Sequence, residues 1–235
     1  MYQYIKNECN RIIKWKSWPL VAAICLFVMV LVRACDAGAA VFVYSILANL
    51  GYVFVIGICV CVATDDFENG TYIQAFTGKY SVPHIIGAKL IAAAVEALVI
   101  AALSCILSFI ATYGQIEGVQ LEEMLRLFGM TMLTYLVGAM LLASVAVLMG
   151  SFIKNQGICV VLMFSLFLGV FAEIIGLVKS HFNINTVAGY LLTQFALLPE
   201  MMLNGAASFQ QIGFCMGAAM LNYVIICCTR RWWLG

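Results

Sequence analysis

Residues 65–89 read DDFENGTYIQAFTGKYSVPHIIGAK, the longest strongly polar break in a chain of 235 residues that is 65% hydrophobic and only 10% charged. Apolar runs flank it, from about Ala39 to Thr64 on one side and from Ser81 and Pro83 to about Thr112 on the other. A membrane helix needs roughly 20 apolar residues to cross a hydrocarbon core of about 30 Å. Both runs predict spans, which makes the break a polar connection between them. The composition agrees, because a single soluble core could not hide this much apolar surface. The chain reads as an all-α integral membrane protein. A net charge of +1 leaves no basic surface for phosphate neutralisation, so nucleic acid is excluded as a partner.

Further from the break, four more segments predict spans: about Trp18 to Cys35, Leu125 to Met149, Gly157 to Val178 and Gln210 to Cys228. Residues 17–235 are thus expected to form a six-span domain. Residues 1–16 mix Tyr4, Ile5, Ile12 and Ile13 with basic residues, the pattern of an amphipathic helix on a membrane surface rather than a cleaved leader. With the N-terminus inside, nine of the twelve Lys and Arg residues, Lys79, Lys89 and Lys154 among them, fall on the cytoplasmic side. That bias places both termini in the cytoplasm. The outer segment 179–209 contains the apolar run Val187 to Leu203, interrupted by Gln194, Pro199 and Glu200, and predicts a re-entrant or interfacial helical element.

Within the break, Asp65, Asp66 and Glu68 close the second span, and Asn69-Gly70 is a turn signal. Thr71 to Thr77 allows about two helical turns before Gly78, and Ser81 stands where it can cap the third span. Tyr72, Ile73 and Phe76 gather on one side of the short helix. So short a helix does not hold by itself, since nucleation costs more than a few hydrogen bonds return. It must dock, either on its own bundle or, with aromatic residues beside carboxylates, on a cytoplasmic partner.

The run Glu68-Asn69-Gly70-Thr71, a short helix, then Lys79-Tyr80-Ser81-Val82-Pro83-His84 and onward to Lys89-Leu90, resembles the loop between the second and third spans of ABC-type-2 transporter permeases. The layout of an amphipathic N-terminal helix, six spans and an outer element before the last span is also similar to that family. Here His84 directly follows Pro83, where the family usually carries a basic residue, and Lys79 precedes the turn. The resemblance implies that loop 65–81 holds a coupling helix seated in a groove of a separate ATPase subunit. Carried over by position, Glu68, Gly70, Thr71, Tyr72, Ile73 and Phe76 would face that ATPase. It further implies a homodimer or a heterodimer with a related permease in the bacterial cytoplasmic membrane. ATP and magnesium would bind the partner ATPase and no cofactor would bind this chain. The small size resembles exporters of bacteriocins, lantibiotics and other amphipathic peptides, which makes such a peptide the expected substrate, with lipid, drug or polysaccharide as alternatives. A non-transporting membrane protein that docks another cytoplasmic partner through residues 65–78 is the competing reading.

The remaining candidate residues lie in the spans. No G-x-x-x-x-G-K-[ST] occurs, so the chain is not expected to hydrolyse ATP, and no catalytic residues are identified. Glu96 is the carboxylate well inside the third span, among Ala92, Ala93 and Ala97. An ionisable group there faces a partner or a wet path. It serves either helix packing or the translocation route, and packing is favoured because no second charge is visible at matching depth. Glu173, near the outer end of the fifth span and beside Gly176, is either part of an outer gate, as the resemblance suggests, or a carboxylate reaching to the interface. Gly213-x-x-x-Gly217 offers a close-packing face on the sixth span. The ten cysteines mostly fall within or at the ends of spans, and His84 and His181 fall on opposite sides, so no metal site is expected.

Overall fold

The computed structural model describes residues 37–68, 81–112, 121–167, 173–174, 176–177 and 208–234. The expected helix over 1–16, the first span, the loop core 69–80 and nearly all of the outer segment 179–209 lie outside the described residues. Those that are described form helices and no strand: α1 (Ala37–Glu68), α2 (Val82–Thr112), α3 (Leu121–Ile153), α4 (Gln156–Phe167) and α5 (Phe209–Leu234). Among them, Val82–Leu107, Phe128–Ile153 and Phe209–Thr229 are long and apolar enough to cross a membrane. The helices outrun the spans read from hydropathy. α1 continues a full turn past Thr64 to Glu68, and α3 adds about a turn at each end, because backbone hydrogen bonding does not stop where side chains become polar.

α1 and α2 run antiparallel while α1 and α3 run parallel, and α3 touches all four other helices. Its apolar stretch is 61% buried, against 44% for α2 and 17% for α5. α3 is therefore the central post, and α5 the most open of these three. Small residues let the helices approach. Ala93, Ala97 and Ala101 of α2 and Ala139, Ala143 and Ala146 of α3 are all buried, and α2 packs on α3 more extensively than any other pair. In an apolar medium helix association depends on this kind of close contact.

Four buried hydroxyls inside the bundle are satisfied locally. Thr64 donates to Val60 O at 2.7 Å, Thr134 to Met130 O at 2.8 Å, Ser144 to Leu141 O at 2.7 Å and Ser151 to Leu148 O at 2.7 Å. Each hydroxyl returns to a carbonyl three or four residues back, which removes the penalty of an unbonded buried donor. Other bonds cross between helices: Asn222 Nδ2 of α5 donates to Ser144 Oγ at 3.0 Å, and the Tyr52 hydroxyl of α1 donates to Phe167 O at 3.0 Å.

The ends of the helices follow local rules. α3 stops at Lys154, whose φ of 54° is left-handed and whose N–H returns to Gly150 O at 3.0 Å. Asn155 then caps α4 by accepting from Ile158 N–H at 3.0 Å. α5 opens with a reciprocal box in which Ser208 N–H donates to Gln211 Oε1 at 2.8 Å and Gln211 N–H donates to Ser208 Oγ at 3.3 Å. Ser81 departs from the expected side-chain cap. Its carbonyl accepts from His84 and Ile85 N–H, while its hydroxyl shares a hydrogen bond with His84 Nδ1.

Candidate functional site

α1 ends on Asp65, Asp66 and Glu68, with no basic residue in its last turn. A helix C-terminus carries partial negative charge, so carboxylates there are disfavoured unless a cation is brought from elsewhere. α2 brings it. Lys89 Nζ lies 2.9 Å from Asp66 Oδ2 and donates to Val62 O at 2.7 Å. The two side chains are 1% and 6% exposed, which makes this a buried ion pair and not a solvated surface contact. Lys89, counted in the sequence among the basic residues flanking the spans, is thus buried, with its charge paired to α1.

Around that pair the ends of α1, α2 and α3 meet, joined by Tyr223 of α5. Gly150 of α3 sits against α1 so closely that a Cβ built on it would lie 2.8 Å from Thr64 Cγ2 and 3.3 Å from Phe67 Cδ2. Tyr223 of α5 donates its hydroxyl to Pro83 O, in the first turn of α2, at 3.2 Å. Phe67 and Val82, next to the two ends of the connection, are both buried. The described residues on either side of 69–80 therefore stand on a braced foot built from α1, α2, α3 and α5.

The sequence-derived candidates divide as follows. Glu68 is the last residue of α1, directly beyond the braced foot. Gly70, Thr71, Tyr72, Ile73 and Phe76 lie outside the described residues. Glu96 is buried at 4% exposure beside the alanines expected around it, and among the described residues no group hydrogen-bonds its carboxylate. Lys89, another buried charge on α2, lies seven residues earlier, about 10 Å along the helix, and is taken up by Asp66. Glu173 is exposed. Gly213 and Gly217 are exposed too, and a Cβ on either meets nothing within 4 Å. Close approach is instead made at Gly150 and at Gly51, where a Cβ would lie 3.0 Å from the Tyr135 hydroxyl. No spacing pattern marks those two glycines, because their neighbours come from other helices. Among the described residues no three His, Cys, Asp or Glu side chains gather into a group that could hold a metal ion.

No protein-family model matches this chain, and no curated protein matches it.

Proposed function

We propose that the chain is the membrane-spanning permease subunit of an ATP-driven exporter, with residues 68–76 docking a separate ABC ATPase subunit. The observation that carries this reading is the braced foot: the ends of the 69–80 connection are held by the buried Asp66–Lys89 pair, the Gly150–Thr64 contact and the Tyr223–Pro83 hydrogen bond. An ordinary surface loop between two membrane helices needs no such frame. A segment that passes force from an ATPase to the bundle does, since a loosely rooted lever would absorb the motion.

The helix lengths fit the same role. α1, α2 and α3 have 32, 31 and 33 residues. At about 1.5 Å per residue each is about 45 to 50 Å long, well beyond a hydrocarbon core of about 30 Å. Their ends therefore stand clear of the bilayer on at least one side, where a soluble partner reaches them. In this reading six spans, with both termini in the cytoplasm, pair with a second copy or a related permease in a bacterial cytoplasmic membrane. ATP and magnesium stay on the ATPase, the cargo is an amphipathic peptide, and Glu173 stands towards the outer end of the path.

The test is co-purification in detergent with the candidate ATPase, comparing the wild-type chain with a Glu68→Arg, Phe76→Asp double variant. Recovery of the ATPase with wild type, and its loss with a variant that still folds and assembles, supports the docking role. If the ATPase never associates, or associates regardless of the changes, the proposal fails and a non-transporting interaction protein takes its place.

A further inference from the structure

The Asp66–Lys89 pair does more than docking alone would require. Its ammonium grips α1 at two points one turn apart, Val62 O and Asp66 Oδ2, from a position two turns into α2. As a source of stability it is a poor choice. Taking both charges out of water costs about as much as their attraction returns, and an apolar pair of the same volume holds two helices at least as well. An ion pair with hydrogen bonds supplies something an apolar contact lacks, which is a fixed length and direction. Leucine and methionine side chains can slide along one another with little change in contact. A 2.9 Å ion pair and a 2.7 Å hydrogen bond break when one helix moves axially past the other.

We infer that Asp66 and Lys89 are positioning residues that hold α1 and α2 in one register at the root of the connection. Displacement of residues 69–80 then moves both helices as a unit, and the motion reaches the far end of the bundle. This rests on the reading of residues 68–76 as the ATPase-docking segment. Asp66 itself is buried, at 4% exposure, and is not part of the docking surface.

The test uses the full chain in complex with its ATPase, in a cysteine-free background with spin labels at Ile106 of α2 and Leu125 of α3. Both positions are exposed, and both lie far along the bundle from Lys89. The distance between labels is measured by pulsed electron paramagnetic resonance, without nucleotide and with a non-hydrolysable ATP analogue. The wild-type complex is expected to show a nucleotide-dependent shift. The Asp66→Leu, Lys89→Met double variant is expected to keep its fold and its ATPase and to lose that shift, while Lys89→Arg, which keeps charge and donors, retains it. A double variant that shifts like wild type, or a wild-type complex that does not shift at all, overturns the inference. If the double variant does not fold, Asp66→Asn is measured in the same way, with a reduced shift expected and an unchanged shift overturning the idea. Failure of the ATPase to bind the wild-type chain sinks the docking reading and this inference together. Binding with an unaltered shift in the double variant sinks only the latter.

Discussion

Gly150 of α3 stands against Thr64 of α1 with no room for a side chain, since a Cβ on the glycine would come within 2.8 Å of the threonine methyl. Phe67 closes the same spot from the next turn, at 3.3 Å. Gly150→Ala is therefore expected to push α1 and α3 apart at the foot of the 69–80 connection and to cost about 1–3 kcal/mol, the usual range for overpacking a core. Gly57 is the matched control, because a Cβ there meets nothing within 4 Å. Thermal unfolding in detergent should show a lowered midpoint for Gly150→Ala and none for Gly57→Ala.

The buried ion pair makes a prediction about energies that is separate from its role in coupling. Lys89→Met takes the Lys89 ammonium away from the buried Asp66 carboxylate, and Asp66→Leu takes the carboxylate away from an ammonium that also donates to Val62 O. Each single change is expected to destabilise by about 3–5 kcal/mol, whereas the double change to apolar residues is near neutral or stabilising. Equilibrium unfolding of the four proteins in a double-mutant cycle reads this directly. Additive single effects would show that the two side chains do not depend on each other.

Glu96 is packed among small residues, and a change of shape there should matter more than a change of charge. Glu96→Gln keeps the volume and is expected to alter stability by less than about 1.5 kcal/mol. Glu96→Lys places a longer cation against Ala92, Ala93 and Ala97, all nearly fully buried, and is expected to prevent a stable fold. Monodispersity on size-exclusion chromatography and the melting midpoint distinguish the two. If Glu96→Gln is folded and binds the ATPase yet abolishes export, the carboxylate belongs to the path and not to packing.

The joint between α3 and α4 stores a small strain. Lys154 holds a left-handed conformation, which costs an L-residue with a side chain about 1–2 kcal/mol. A β-branched residue tolerates it worst, so Lys154→Val should lower the melting midpoint and Lys154→Gly should not. Asn155→Ala removes the acceptor for Ile158 N–H and is expected to cost about 1 kcal/mol.

The glycine pair of α5 carries the opposite expectation to Gly150. With open space around Gly213 and Gly217, Gly217→Ala should leave the melting midpoint of the isolated chain unchanged or slightly raised. Loss of assembly with an intact fold would mean that another chain covers this face.

Composition and apolar run length determined the broad outcome from the sequence alone: helices, several of them long enough to span a bilayer, with a polar break between the runs that became α1 and α2. Those are local properties, because burying unpaired backbone groups in an apolar medium leaves helices as the available answer and length follows from counting residues. The tertiary structure decided what stands at the foot of that break. Lys89 reads as one more basic flank, and only the antiparallel packing of α1 on α2 places it against Asp66, 23 positions away. Gly150 and Gly51 carry no spacing signal, while Gly213-x-x-x-Gly217 does and is uncovered among the described residues. Which small residue meets another helix depends on how each helix is rotated about its axis. The summed packing of all the helices sets that rotation, and no single stretch of sequence contains it.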